Sequence, residues 1–232
     1  MKKKKILINC GDSWANGDYC WIDSTNPNYD FLPPGDRSGS YVNLLAKFYN
    51  FDEVYHYCCG GHSNDHQIYY FKKEMRDNWD YFKKHNTHVL WGTTSLTRFF
   101  FNWKDYFLVK QDRNFFKFQE KYLPFDFILD KLINDILSIK DLCNANSINF
   151  NVYNSFNTYN IPTALFEGKD LLSLIINNFD NINVESTWND NDLKTRSGVA
   201  AGLLDPKTKH PSKQGSIKIA SLLIKELNHV YS

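Results

Sequence analysis

Four short stretches of the chain carry side chains that could do chemistry together. Gly11-Asp12-Ser13-Trp14 places a hydroxyl two residues after a glycine that follows an apolar run. Glycine allows a tight turn, so a serine there can stand at a strand end with its Oγ exposed, as a nucleophile needs. Standing alone, the same tripeptide is ordinary turn chemistry. Gly60-Gly61-His62-Ser63-Asn64-Asp65 leads into a helical pattern, and glycines at such a junction leave backbone N–H groups able to face an anion. Gly92-Thr93-Thr94-Ser95 offers small hydroxyl donors, or simply a turn. Asp205-Pro206-Lys207-Thr208-Lys209-His210-Pro211 holds a histidine between a proline-containing turn and a helix start, a setting that suits a rigid base.

The elements around these stretches follow from periodicity. Lys5–Cys10, Val54–Cys59, His88–Trp91 and Asn149–Tyr153 read as strands, and Ile182–Val184 as a short fifth one. Helical spacing of apolar residues predicts helices over Ser40–Phe48, Asn64–Lys84, Phe125–Ala145, Asp170–Asn177 and Ser212–Asn228. Ser63 or Asn64 and Ser212 are natural N-caps. Strands alternating with helices imply an α/β domain of three layers, with a parallel sheet of about five strands covered on both faces. In such sheets function collects at the carboxyl ends of the strands. The first three stretches lie at strand ends, and the fourth precedes the last helix. An aromatic- and charge-dense segment at about 96–125 follows the third strand and would rim the same edge. Residues 1–232 are expected to form one domain with that segment as an insertion.

Composition bounds the rest. The chain has 232 residues, a formal net charge of +1, 42% hydrophobic and 23% charged residues, an ordinary globular balance. Neutral charge argues against a nucleic-acid partner. No apolar run approaches the length of a membrane span, and the three apolar residues after Lys2–Lys5 are too few for a secretory signal, so a cytoplasmic, non-membrane protein is expected. Five cysteines, Cys10, Cys20, Cys58, Cys59 and Cys143, show no disulfide framework. His56, Cys58, Cys59, His62 and His66 are close in sequence. Strand alternation puts Cys58 and Cys59 on opposite faces, so no metal site is expected.

The order and placement of the four stretches resemble the SGNH/GDSL hydrolase superfamily. Gly11-Asp12-Ser13 matches its nucleophile block, Gly61 its second block, and His210-Pro211 its last block; the likeness runs from Ile6 to about Leu223. It implies a flavodoxin-like α/β/α fold and a serine esterase working through an acyl-enzyme without a cofactor. By that resemblance Ser13 is the nucleophile, His210 the base and Asp205 the third triad member. Ser13, Gly61, Thr94 and Asn64 would form the oxyanion hole, and Trp14, Ser95 and Arg98 would meet substrate. Two positions depart from the pattern. Thr94 stands where the family has its oxyanion Asn, with Asn64 or Ser95 as substitutes. Asp205 lies five residues before His210 instead of three, where Lys207 stands. The expected substrate is a small-molecule or glycan ester, with O-deacetylation of a glycan as the specific reading. A lipase or thioesterase, or a non-catalytic carbohydrate-binding protein on the same scaffold, are the alternatives.

Overall fold

In the computed structural model, the described residues are 2–17, 39–58, 63–94, 96, 125–155, 159–166, 168–176 and 195–231. The elements, in chain order, are β1 (Lys5–Gly11), α1 (Ser13–Asn16), α2 (Tyr41–Phe48), β2 (Glu53–Cys58), α3 (Asn64–Phe82), β3 (Asn86–Thr93), α4 (Phe125–Asn144), β4 (Asn149–Asn154), α5 (Leu171–Ile176) and α6 (Lys213–Tyr231). Residues 195–200 form a further helical turn that periodicity did not show.

The described strands form one parallel four-stranded sheet in the order β2-β1-β3-β4. The expected fifth strand, Ile182–Val184, and the aromatic segment over 97–124 lie outside the described residues. Beyond β4, Asp170 makes a single parallel bridge with Asn154.

Alternation along the strands divides the core into two layers. Leu7 of β1, Leu90 of β3 and Tyr153 of β4 face a cluster built with α1, α2, α5 and α6. Ile6, Ile8 and Cys10, with Val89, Trp91, Phe150 and Val152, face the other cluster under α3 and α4. Helices on both faces make the α/β/α architecture that the alternation predicted. Short polar side chains start the helices: the Oγ atoms of Ser40, Ser63 and Ser212 accept from the amides of Asn43, His66 and Gly215.

The amino edge of the sheet is locked by aromatics. The Lys5 ammonium donates to the carbonyls of Tyr49 and Tyr231 and lies over the Tyr49 and Phe51 rings. Tyr231 meets His88 edge-on at 4.7 Å. This ties the end of α6 to β1 and β3 and leaves the carboxyl edge for the site.

Candidate active site

The serine stands where β1 runs out. Gly11 has φ +152, a conformation that residues with a Cβ rarely adopt, and a Cβ there would lie 2.4 Å from that of Ala15. Only glycine lets the chain turn so sharply into α1. Asp12 is extended and caps the helix, its Oδ1 accepting from the Trp14 amide at 3.0 Å. Ser13 is the first helical residue and only partly buried.

Asp12 is fully buried and reaches across the sheet edge. Its Oδ2 accepts from Thr94 Oγ1 at 3.0 Å. The Thr94 backbone is in turn gripped by Asn64: Thr94 N donates to Asn64 Oδ1 and Asn64 Nδ2 donates to Thr94 O, each at 2.9 Å. Asp12, Thr94 and Asn64 therefore make one hydrogen-bonded chain from the turn that carries Ser13 to the first residue of α3. Beneath it, Gly92 leaves room for Tyr153, whose hydroxyl would lie 2.7 Å from a Cβ at that position. Tyr153 shares a 2.7 Å hydrogen bond with Tyr41. Burial pushes both phenols well up, so they stay protonated.

The histidine stands on a loop that closes on itself. Leu204 and Pro211 form an antiparallel bridge, Asp205 N donates to His210 O at 2.8 Å, and Ser212 N donates to Leu203 O at 2.9 Å. Inside the loop, Asp205 Oδ1 accepts from Lys207 N, Thr208 N and Thr208 Oγ1 at 2.9, 2.7 and 3.0 Å. His210 Nδ1 lies 2.9 Å from the Thr208 carbonyl oxygen. A carbonyl can only accept, so Nδ1 carries the proton and Nε2 is the basic nitrogen. Leu203 and Leu204 pack in the same core cluster as Trp14 and Ala15, so the loop and α1 share one side of the sheet.

No family model and no curated protein matches this sequence. Solved structures do. The esterase EstA of Pseudoalteromonas sp. is similar at a TM-score of 0.50 and 11% identity, over 97% of each chain. A Slackia heliotrinireducens protein described as a candidate SGNH hydrolase is similar over 97% of this chain and 100% of its own, at 12% identity and a TM-score of 0.43. The acetylxylan esterase Axe2 of Geobacillus stearothermophilus is similar over 98% and 95%, at 12% identity and a TM-score of 0.41. The chain has the α/β fold of the esterase EstA.

On that fold the two departures from the family pattern acquire positions. Thr94, which the resemblance puts at the place of the oxyanion Asn, donates its hydroxyl hydrogen bond to Asp12, while the Asn64 amide lies against its backbone. Asp205 holds its own turn, and the carbonyl of Thr208 meets the imidazole. Trp14, expected against substrate, is 5% exposed and packs in one core cluster with Tyr41 and Leu45. Gly61, Ser95 and Arg98 lie outside the described residues.

One participant was not read from sequence: the Thr208 carbonyl, which has no side-chain signature. Among the described residues, no group of three or more His, Cys, Asp or Glu could hold a metal ion, and no helix is long and apolar enough to cross a membrane.

Proposed function

We propose that this chain is a serine hydrolase of carboxylic esters. The observation that carries the reading is the elbow β1–Gly11–Asp12–Ser13. It presents a partly exposed serine at the carboxyl edge of a parallel sheet, on a turn held by a buried carboxylate. Ser13 Oγ attacks the ester carbonyl and its proton passes to His210 Nε2. The imidazolium then returns that proton to the departing alcohol, leaving an acyl-serine. Water, deprotonated by the same nitrogen, releases the acid and restores Ser13.

The Thr208 carbonyl keeps the imidazole in the productive tautomer, and Asp205 shapes the turn that places the carbonyl. The oxyanion is met by the Ser13 N–H and by the second Nδ2 proton of Asn64, the first being given to Thr94 O. Thr94 serves this arrangement as the link between Asp12 and Asn64. No cofactor takes part in these steps. The specific substrate class we assign is a small acyl ester on a glycan. It is supported by the aromatic-rich sequence after β3, since aromatic faces stack on sugar rings.

The test is hydrolysis of p-nitrophenyl acetate by the native protein and by Ser13→Ala, with fluorophosphonate labelling in parallel. We expect turnover and labelling of Ser13 in the native protein and neither in the variant. Undiminished turnover by Ser13→Ala, or labelling at another serine, overturns the reading.

A further inference from the structure

A second reactive cluster lies behind the nucleophile's helix. β1 and β2 pair in parallel with Asn9 opposite His56 and Gly11 opposite Cys58, so Asn9, His56 and Cys58 rise from one face of the sheet. The Asn9 amide joins them. Its Nδ2 lies 2.7 Å from the Ala15 carbonyl, 3.1 Å from His56 Nδ1 and 3.2 Å from Cys58 Sγ. The carbonyl can only accept, which fixes that atom as the nitrogen. With one Nδ2 proton on the Ala15 carbonyl, the other is shared between His56 Nδ1 and Cys58 Sγ, and the imidazole nitrogen stands 4.0 Å from the sulfur. The thiol also donates to Asn16 Oδ1 at 3.5 Å.

Three free cysteines occur among the described residues, and they differ in a way that bears on reactivity. Cys10 and Cys143 are fully buried in the apolar core, and burial pushes their thiols up, Cys143 to about 12. Such thiols are inert. Cys58 is only partly buried, lies 4.0 Å from an imidazole nitrogen, and is within reach of an amide N–H. A base to take the proton and a donor to hold the anion are what a reactive thiol needs. One further observation points to an incoming group. Asn9 Oδ1, on the amide that touches the sulfur, is fully buried and has no hydrogen-bond partner among the described residues. A hydroxyl formed on Cys58 would bring a donor to that neighbourhood.

We propose that Cys58 is a peroxide-sensitive thiol whose oxidation loosens α1. The thiol proton moves to His56 Nδ1, and the Asn9 N–H turns wholly to the thiolate. The sulfur attacks one oxygen of hydrogen peroxide. An S–O bond forms, the O–O bond breaks, and the departing hydroxide takes the proton from His56 as water. Thiol and peroxide become sulfenic acid and water, and a small thiol reverses the change through a mixed disulfide. The added oxygen displaces the sulfur's bond to Asn16 and competes for the Asn9 amide, which otherwise grips Ala15. Both contacts anchor the helix that begins at Ser13. This site rests on the proposed function only for its consequence at Ser13, so the experiment reads it without ester hydrolysis.

The full chain carrying Cys20→Ser and Cys59→Ser is treated with hydrogen peroxide and dimedone, and adducts are mapped by peptide mass spectrometry. Cys58 should be labelled at least about tenfold faster than Cys10 or Cys143, and His56→Gln should slow it about fivefold or more. Hydrogen exchange of the peptide spanning α1 should quicken on oxidation and recover with dithiothreitol. A melting curve checks that His56→Gln is folded, and the comparison among the native cysteines stands without that variant. Equal labelling of the three cysteines, or unchanged exchange in α1 after Cys58 is oxidised, overturns the proposal.

Discussion

The two halves of the candidate site are held in opposite ways. On the serine side, Asp12 bonds to a threonine 82 residues away, which is gripped by an asparagine 30 residues back along the chain. On the histidine side, the bonds to the Asp205 carboxylate and to the His210 ring span only 2 or 3 residues. The serine turn is therefore a product of the whole sheet, assembled only when β1, β3 and the start of α3 are in register. The histidine loop is self-clamped and asks of the sheet only a place to dock. Damage to the first should cost stability and chemistry together, and damage to the second chemistry with little loss of stability.

The sharpest separation comes from Asp12→Ala. It removes the acceptor for both the Trp14 amide and the Thr94 hydroxyl, two hydrogen bonds to a buried charged group. At about 1.5–3 kcal/mol each, the loss should be about 4 kcal/mol in urea unfolding. Esterase turnover should fall by about a hundredfold or more, since losing even one oxyanion donor has that effect and here the Ser13 turn moves as well. Lost turnover with unchanged unfolding would break the comparison, because it would make the serine side as local as the histidine side.

Acid should act on the sheet from the opposite edge. Burial, with Lys5 nearby, pushes the His88 imidazole down from 6.5 to about 4. Between those values the unfolded chain takes a proton that the folded chain refuses. Stability is thus intact above about pH 6.5, falls as the pH drops toward 4, and loses about 3 kcal/mol in all. His88→Phe should flatten that slope in denaturant titrations from pH 7 to 4. A slope unchanged by the substitution would place the acid-sensitive group elsewhere.

Legibility in the sequence follows the same division. The four described strands, the long helices and the caps Ser63 and Ser212 were readable, because periodicity and capping are local. The strand ends were less so: apolar content alone marks His88–Trp91, while pairing with β1 and β4 extends β3 over Asn86–Thr93. Helix α1 is too short, at 4 residues, to show any period. Ser13 and His210 stood out by their neighbours. The hydrogen bond of Thr94 to Asp12, the grip of Asn64 on Thr94 and the amide of Asn9 are long-range, and nothing in their own segments announces them. The Thr208 carbonyl was invisible for another reason: every residue has one, and only the turn decides which is aimed at an imidazole.

The smallest expected effect tests that turn. Asp205 stands in the loop before His210, where the resemblance makes it the third triad member. In the structure its Oδ1 accepts three hydrogen bonds from Lys207 and Thr208, and His210 Nδ1 lies 2.9 Å from the Thr208 carbonyl. If the carboxylate shapes the turn and the carbonyl orients the ring, an amide oxygen can do the same work. Asp205→Asn keeps an acceptor of the same shape, so kcat should stay within about threefold of native. Asp205→Ala removes the acceptor, lets the carbonyl drift and should cut kcat about tenfold. A direct triad role predicts the reverse order of sensitivity: a neutral amide beside the imidazole favours the wrong tautomer and lowers kcat by about 10⁴. Steady-state kinetics of the two variants, with their pH profiles, therefore decides whether the histidine is served by a carboxylate or by the backbone.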